Sequence, residues 1–234
     1  MVLFDSFILQ IRELLNEKSI KTEPYNPTKL KAADKNSVLF LKDTAYELGG
    51  SQTKCVSTLA VTSDIEFNNE THMLGKDIFE IKEDTPFAKV VLLEIEDIDE
   101  ETAFEKIKEL EHIRYQFCPE GFMTRASALN KREQIRVSKK AVKNKISFAD
   151  YGDAVIGEYL KHPLVKSVEL ILVTDKSFDY DKLGELAEKI KDTTSALNHI
   201  FDNILFDCKS CNLKEICDEV EGMKELHMKT ANIK

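Results

Sequence analysis

No apolar stretch of this sequence approaches the roughly 20 residues that a bilayer-spanning helix needs, although 42% of its 234 residues are hydrophobic. The N-terminal stretch MVLFDSFILQIRELLNEK has neither the basic leading region nor the small-residue cleavage site of a secretory leader. Also missing are a Walker P-loop, a G-x-G-x-x-G turn, an H-E-x-x-H helix and a G-x-S-x-G elbow. His72, His112, His162 and His199 are scattered without an evident acid–base partner, so no catalytic triad is visible and catalytic residues stay unassigned. Positive charge is in deficit, with 33 Lys and Arg against 42 Asp and Glu and a formal net charge of −9. That argues against a general nucleic-acid binder, which needs a basic surface to neutralise phosphates. The five cysteines are odd in number, with three of them clustered, unlike a secreted disulfide framework. In a reducing compartment such a cluster more often signals metal. A cytoplasmic protein with neither nucleic-acid nor membrane partners is the expectation.

What is present reads as an intermingling of strands and helices without regular alternation. Leu3, Phe4, Phe7, Ile8, Ile11, Leu14 and Leu15 repeat at helical spacing. Pro24 and Pro27 mark a connection. SVLFLKD (37–43), CVSTLAVTSD (55–64), FAKVVLLEIED (87–97) and SVELILVTD (167–175) are strand candidates, and the continuous apolar centre of the third predicts burial on both faces. Turns or loops are expected at ELGGSQTK and through Asn68, Asn69 and Gly75. Helices are expected over 99–117, over 147–162 (stopped by Pro163), over 179–203 and from about Glu215. Residues 121–144 are ambiguous between strand and helix. The class is α+β, a mostly antiparallel or mixed sheet packed with helices, with a Cys-rich C-terminal segment followed by a short helix. The division expected is a domain over 1–205 and a metal-binding tail over 206–234.

That tail holds FDCKSCNLKEICDEVEGMKELH (206–227), in which Cys208, Cys211 and Cys217 form C-x2-C-x5-C. The first pair can reach one metal from a tight turn, and Cys217 returns at the start of a helix, whose amides favour thiolate charge. Thiolates suit zinc or an iron–sulfur cluster, and either normally takes four protein ligands. Candidates for the fourth are His227 locally, and Cys118 or Cys55 from a distance; a [4Fe–4S] cluster ranks ahead of zinc. Three reduced, partly buried cysteines without metal are the bland alternative.

A basic run stands out in this acidic chain. Arg125, Lys131, Arg132, Arg136, Lys139, Lys140, Lys143 and Lys145 fall within one short segment. Such charge can hold the phosphates of a nucleotide-like cofactor or an acidic partner surface. A solvated face paired with the abundant carboxylates explains it equally well.

Six stretches, in order, resemble the middle region of acetyl-CoA synthase, the beta subunit of the CO dehydrogenase/acetyl-CoA synthase complex. They are DTAYELGG (43–50), LGKDI (74–78), PFAKVVLLE (86–94), GFMTRA (121–126), IRVSKKAVKNKISF (135–148) and VELILVTD (168–175). With their spacing they extend the resemblance over roughly 37–228. It implies an α+β region linked to coenzyme A binding, an implication that here falls on Arg125, Arg132, Arg136, Lys139 and Lys140. It also implies a cluster-binding cysteine segment downstream. The synthase spaces its cluster cysteines C-x2-C-x8-C-x9-C and adds a Cys-Gly-Cys that holds nickel. Here the spacing is shorter and no cysteine follows Cys217. The expectation is therefore a stand-alone relative that binds a [4Fe–4S] cluster (or zinc) and does not make acetyl-CoA alone. It would act as an accessory, assembly or electron-transfer component of one-carbon metabolism in an anaerobe, beside components of that complex or another one-carbon or redox protein. The alternative is a non-redox binding module with a zinc staple and a basic site for coenzyme A or a protein partner.

Overall fold

In α1 (Asp5–Asn16) the apolar stripe predicted by spacing is the buried face, with Phe4, Phe7, Ile8 and Ile11 each 1% exposed or less. The computed structural model describes residues 2–16, 19–27, 30–33, 38–50, 52–127, 132–201, 211–220, 222–223 and 225–226. After α1 the chain forms β1 (Lys21–Pro24), β2 (Thr44–Leu48), β3 (Cys55–Thr62), β4 (Glu70–Leu74) and β5 (Phe87–Ile95). It continues through α2 (Ala103–Gln116), β6 (Phe122–Ser127), β7 (Arg132–Ser138), α3 (Lys139–Lys143) and α4 (Phe148–Tyr159). It then forms β8 (Val165–Val173), α5 (Tyr180–Phe201) and α6 (Lys214–Glu219).

Two sheets result. The larger is mixed, in the order β1-β4-β8-β5-β3, with β3 parallel to β5, β5 antiparallel to β8, β8 parallel to β4 and β4 antiparallel to β1. The smaller, β2-β7-β6, is antiparallel throughout. The α+β class with helices packed on sheets is what the sequence implied.

Strand alternation explains the layering. Phe87 and Lys89 on β5 face α4, where Phe87 stacks on Phe148 with ring centroids 6.3 Å apart and Lys89 meets Tyr151. The neighbouring side chains of β3 and β5 point the other way, toward α5 and α1; Val56 lies beside Gly184 of α5. The central strands are therefore buried on both faces, as their unbroken apolar runs demand. Leu213, Ile216, Cys217, Val220 and Met223 join the same continuous apolar cluster, and α6 packs on α5.

Four expectations need correction. SVLFLKD is no strand: its described part is irregular, then a single 3-10 turn at Leu41–Asp43, with Val38, Phe40 and Leu41 more than half exposed. Its apolar residues find no sheet edge to pair with. The expected loop through Asn69 contains β4, whose few residues lie between β1 and β8 and carry too little pattern to reveal a strand. The connection around Pro24 contains β1, which pairs with β4 along one edge. ELGG belongs partly to β2, and the ambiguous 121–144 resolves into β6, β7 and α3.

The helix comes close to the sheet at Gly152 of α4, where a Cβ would come within 2.1 Å of Thr71 Oγ1. Gly152→Ala is expected to destabilise the fold by about 1–3 kcal/mol through overpacking. Gly184→Ala on α5, where the nearest atom is an ordinary 3.9 Å away, should be neutral or stabilising by up to about 1 kcal/mol. Chemical denaturation of both variants checks the contrast, and equal effects would refute it.

Candidate functional site

Between the two sheets lies a buried polar network that sequence reading missed. Lys89, 3% exposed, donates from Nζ to Glu133 Oε1 at 2.6 Å and to the Tyr151 hydroxyl at 3.4 Å. Glu133 of β7 is 1% exposed, and its second oxygen accepts from Ser57 Oγ of β3 at 3.0 Å. Ser57 in turn accepts from Arg114 Nη1 of α2 at 3.4 Å, and Arg114 Nη2 reaches the Tyr115 hydroxyl at 2.7 Å. Arg114 Nε and the Tyr159 hydroxyl are buried without a hydrogen-bond partner. The readable signal was a lysine inside an otherwise apolar strand, since burying it requires an anion nearby.

Cys118 sits in this layer, with Sγ 3.4 Å from Thr124 Oγ1, and burial pushes its thiol up. Burial does the same to Cys55, despite Arg132 nearby. Both are therefore thiols at neutral pH and poor nucleophiles. Burial, aided by the Glu133 charge, holds the Tyr151 and Tyr159 phenols protonated.

The basic run is brought to the small sheet and α3. Alternation along β7 puts Arg132, Gln134 and Arg136 opposite the buried Glu133, Ile135 and Val137, and Arg125 pairs with Gln134 on that outer face. The two central arginines are committed internally. Arg136 Nε meets Glu47 Oε1 at 2.6 Å and its Nη1 donates to the Leu39 carbonyl at 3.3 Å. Arg132 Nη2 turns onto the carbonyls of Gly49, Gly50 and Thr53 at 3.2–3.4 Å. Lys139 donates to the Lys42 carbonyl at 2.7 Å, Lys140 pairs loosely with Glu120 at 3.4 Å, and Arg125 is exposed.

In the tail, Cys211 is half-buried just before α6, and Cys217 is 7% exposed in the second half of α6, not at its start as expected, so its position gives no helix-start amides to its thiol. Lys189 of α5 pairs with Glu219 of α6 at 2.5 Å and fastens the two helices. Cys208 and His227 lie outside the described residues. Cys118 is in the layer between the sheets, whereas α6 packs on α5 at the opposite face of the large sheet. Among the described residues, no group of three metal-ligating side chains includes a cysteine. None of the helices described is long and apolar enough to cross a membrane.

Two outcomes test this geometry. Lys89→Met leaves Glu133 buried without its cation and is expected to cost about 3–5 kcal/mol, most of it recovered by adding Glu133→Leu. Denaturant unfolding checks this, and a double variant no more stable than the single would contradict it. Burial also raises the phenols of Tyr46, Tyr151, Tyr159 and Tyr180. The folded chain then holds these protons more tightly than the unfolded one, so their stabilisation is complete below a pH of about 10 and lost as pH rises further. Tyrosinate absorbance from these rings should therefore appear together with loss of circular dichroism, and ionisation of all four in a folded chain would contradict it.

Comparison with known proteins adds one positive result. A family model described as the CO dehydrogenase/acetyl-CoA synthase complex beta subunit matches residues 35–178, more than half of the chain. The match takes in both sheets except β1, and it ends before α5 and the cysteine tail. In the search of curated proteins, no sequence matches this chain.

Proposed function

The chain belongs to the CO dehydrogenase/acetyl-CoA synthase complex beta subunit family, and from that premise we propose that it is a metal-carrying accessory, assembly or electron-transfer component of one-carbon metabolism. The metal is an iron–sulfur cluster held by Cys208, Cys211 and Cys217, with His227, the candidate local in the sequence, as the fourth ligand. The observation that carries the reading is the placement of Cys211 just before α6 and of Cys217 in its second half, on a helix that packs on α5 and joins the main core. A rigid support of this kind keeps thiolate donors together at little entropic cost. The donor set fits, because thiolates select zinc or iron–sulfur clusters over harder cations. Cys118, in its separate layer, does not share that support. Acetyl-CoA synthesis is not assigned to this chain alone.

Coenzyme A binding is the part of the family reading with the least geometric support. Glu47 neutralises Arg136 and three carbonyls occupy Arg132, which leaves Arg125, Lys139 and Lys140 as the accessible charges on that face. Partners would be other components of the complex named in the family description, or another one-carbon or redox protein.

Anaerobically purified protein should carry iron and sulfide and absorb broadly near 400 nm, roughly where thiolate-to-iron charge transfer falls. Cys208→Ala and Cys211→Ala should each lose the metal while the far-ultraviolet dichroism is kept. Colourless protein with about one zinc would replace the redox role by the alternative, a binding module with a structural staple. Metal content that is negligible, or indifferent to both substitutions, would overturn both readings.

A further inference from the structure

On the α1 face of the large sheet, a second set of donors converges, unrelated to the cysteines. Glu70 and His72 stand two residues apart on β4 and so share a face. Glu169 of β8 is the direct register partner of Glu70. His72 Nε2 lies 3.3 Å from Glu70 Oε1 and 3.8 Å from Glu169 Oε1, and the three donor atoms all fall within 4.8 Å of one another. Ligands about 2.1 Å from a tetrahedral metal are separated by about 3.4 Å, and the two measured edges straddle that value. The histidine seen in the sequence as partnerless thus has two carboxylates beside it.

The surroundings orient these donors. Thr22 Oγ1 of β1 lies 2.9 Å from His72 Nδ1. With Nδ1–H donated to this hydroxyl, a neutral imidazole presents the Nε2 lone pair to two anionic oxygens, an arrangement that a cation at their common centre makes favourable. The same arrangement of an outer acceptor fixing the ring is how metal-ligating histidines are held. Glu169, its side chain 6% exposed, is pinned through Oε2 by Arg12 Nη2 at 2.5 Å, with a longer contact of 3.5 Å from Arg12 Nε to Oε1. Arg12 itself rests 5.1 Å from the centre of the Phe67 ring. His72 and Glu70 retain 18% and 21% side-chain exposure, which leaves a route for an ion from solvent.

We propose that Glu70, His72 and Glu169 form a site for one divalent first-row transition cation, bound by His72 Nε2 and one oxygen from each carboxylate. One imidazole with two carboxylates suits zinc, manganese or ferrous iron better than calcium or magnesium, which favour all-oxygen shells. Three protein ligands leave positions for water, the composition of a reactive site more than of a structural one. Arg12 lowers the net charge of the donors to −1, so a divalent ion is bound reversibly and is not locked in.

Mn2+ is the probe of choice, because thiolates hold it poorly and the cysteine tail then does not compete. Titration of the full chain, followed by the electron paramagnetic resonance of free Mn2+, should show one saturable site. Glu70→Gln and His72→Gln should each abolish it with unchanged dichroism. Thr22→Val, which touches only the outer acceptor, should weaken it by about 10–100-fold. Cys211→Ser should leave it intact. No saturable binding would show that a proton on Nε2, and not a metal, bridges the carboxylates. Binding that survives Glu70→Gln and His72→Gln, or is lost in Cys211→Ser, would place the ion elsewhere. Either result overturns the proposal without touching the reading of the cysteine tail.

Discussion

The Lys89–Glu133 ion pair is the constraint around which the two sheets are arranged. Each charge is buried to a few per cent exposure, and neither could be accommodated without the other. The pair also specifies register. A one-residue slip of β7 would turn Glu133 to the outer face and bring Arg132 or Gln134 inward, leaving Lys89 without an anion. Ser57 and Tyr151 occupy the remaining hydrogen-bonding positions, which ties β3 and α4 to the same centre. A well-packed apolar substitute could hold the sheets as firmly, but it would select this alignment less sharply.

The outer face of the small sheet shows the opposite use of charge. Its arginines are brought together, yet Glu47 and the carbonyls around Gly50 engage the two that lie nearest β2. They brace the β2–β7 pairing, whose strands carry few large apolar side chains. Because β2 carries Glu47 directly opposite Arg136, the pairing register and the ion pair reinforce each other.

The family match and the layering divide the chain in a consistent way. The matched span supplies both sheets except β1, together with α4, while α1, α5 and the cysteine-bearing α6 lie outside that span. The described part of the tail, α6, packs on α5 on the side opposite the buried network.

Long periodic or uniformly apolar segments were legible in the sequence. The stripe of α1, the runs of β5 and β8, the acidic start of α2 and the stop at Pro163 each follow from local chemistry, and all appear where they were expected. Short strands were not legible, because the edge strand β1 and its inner neighbour β4 owe their conformation to hydrogen bonds with partners far away in sequence. SVLFLKD fails for the converse reason: rich in aliphatic residues, it pairs with no strand among the described residues. The residue types of the cysteine tail and of the basic run were plain from spacing alone. Which charges are spent internally, and which histidine stands among carboxylates, depended on strand register: it sets Glu47 against Arg136 and Glu70 beside Glu169, pairings between residues remote in the chain that no local pattern encodes.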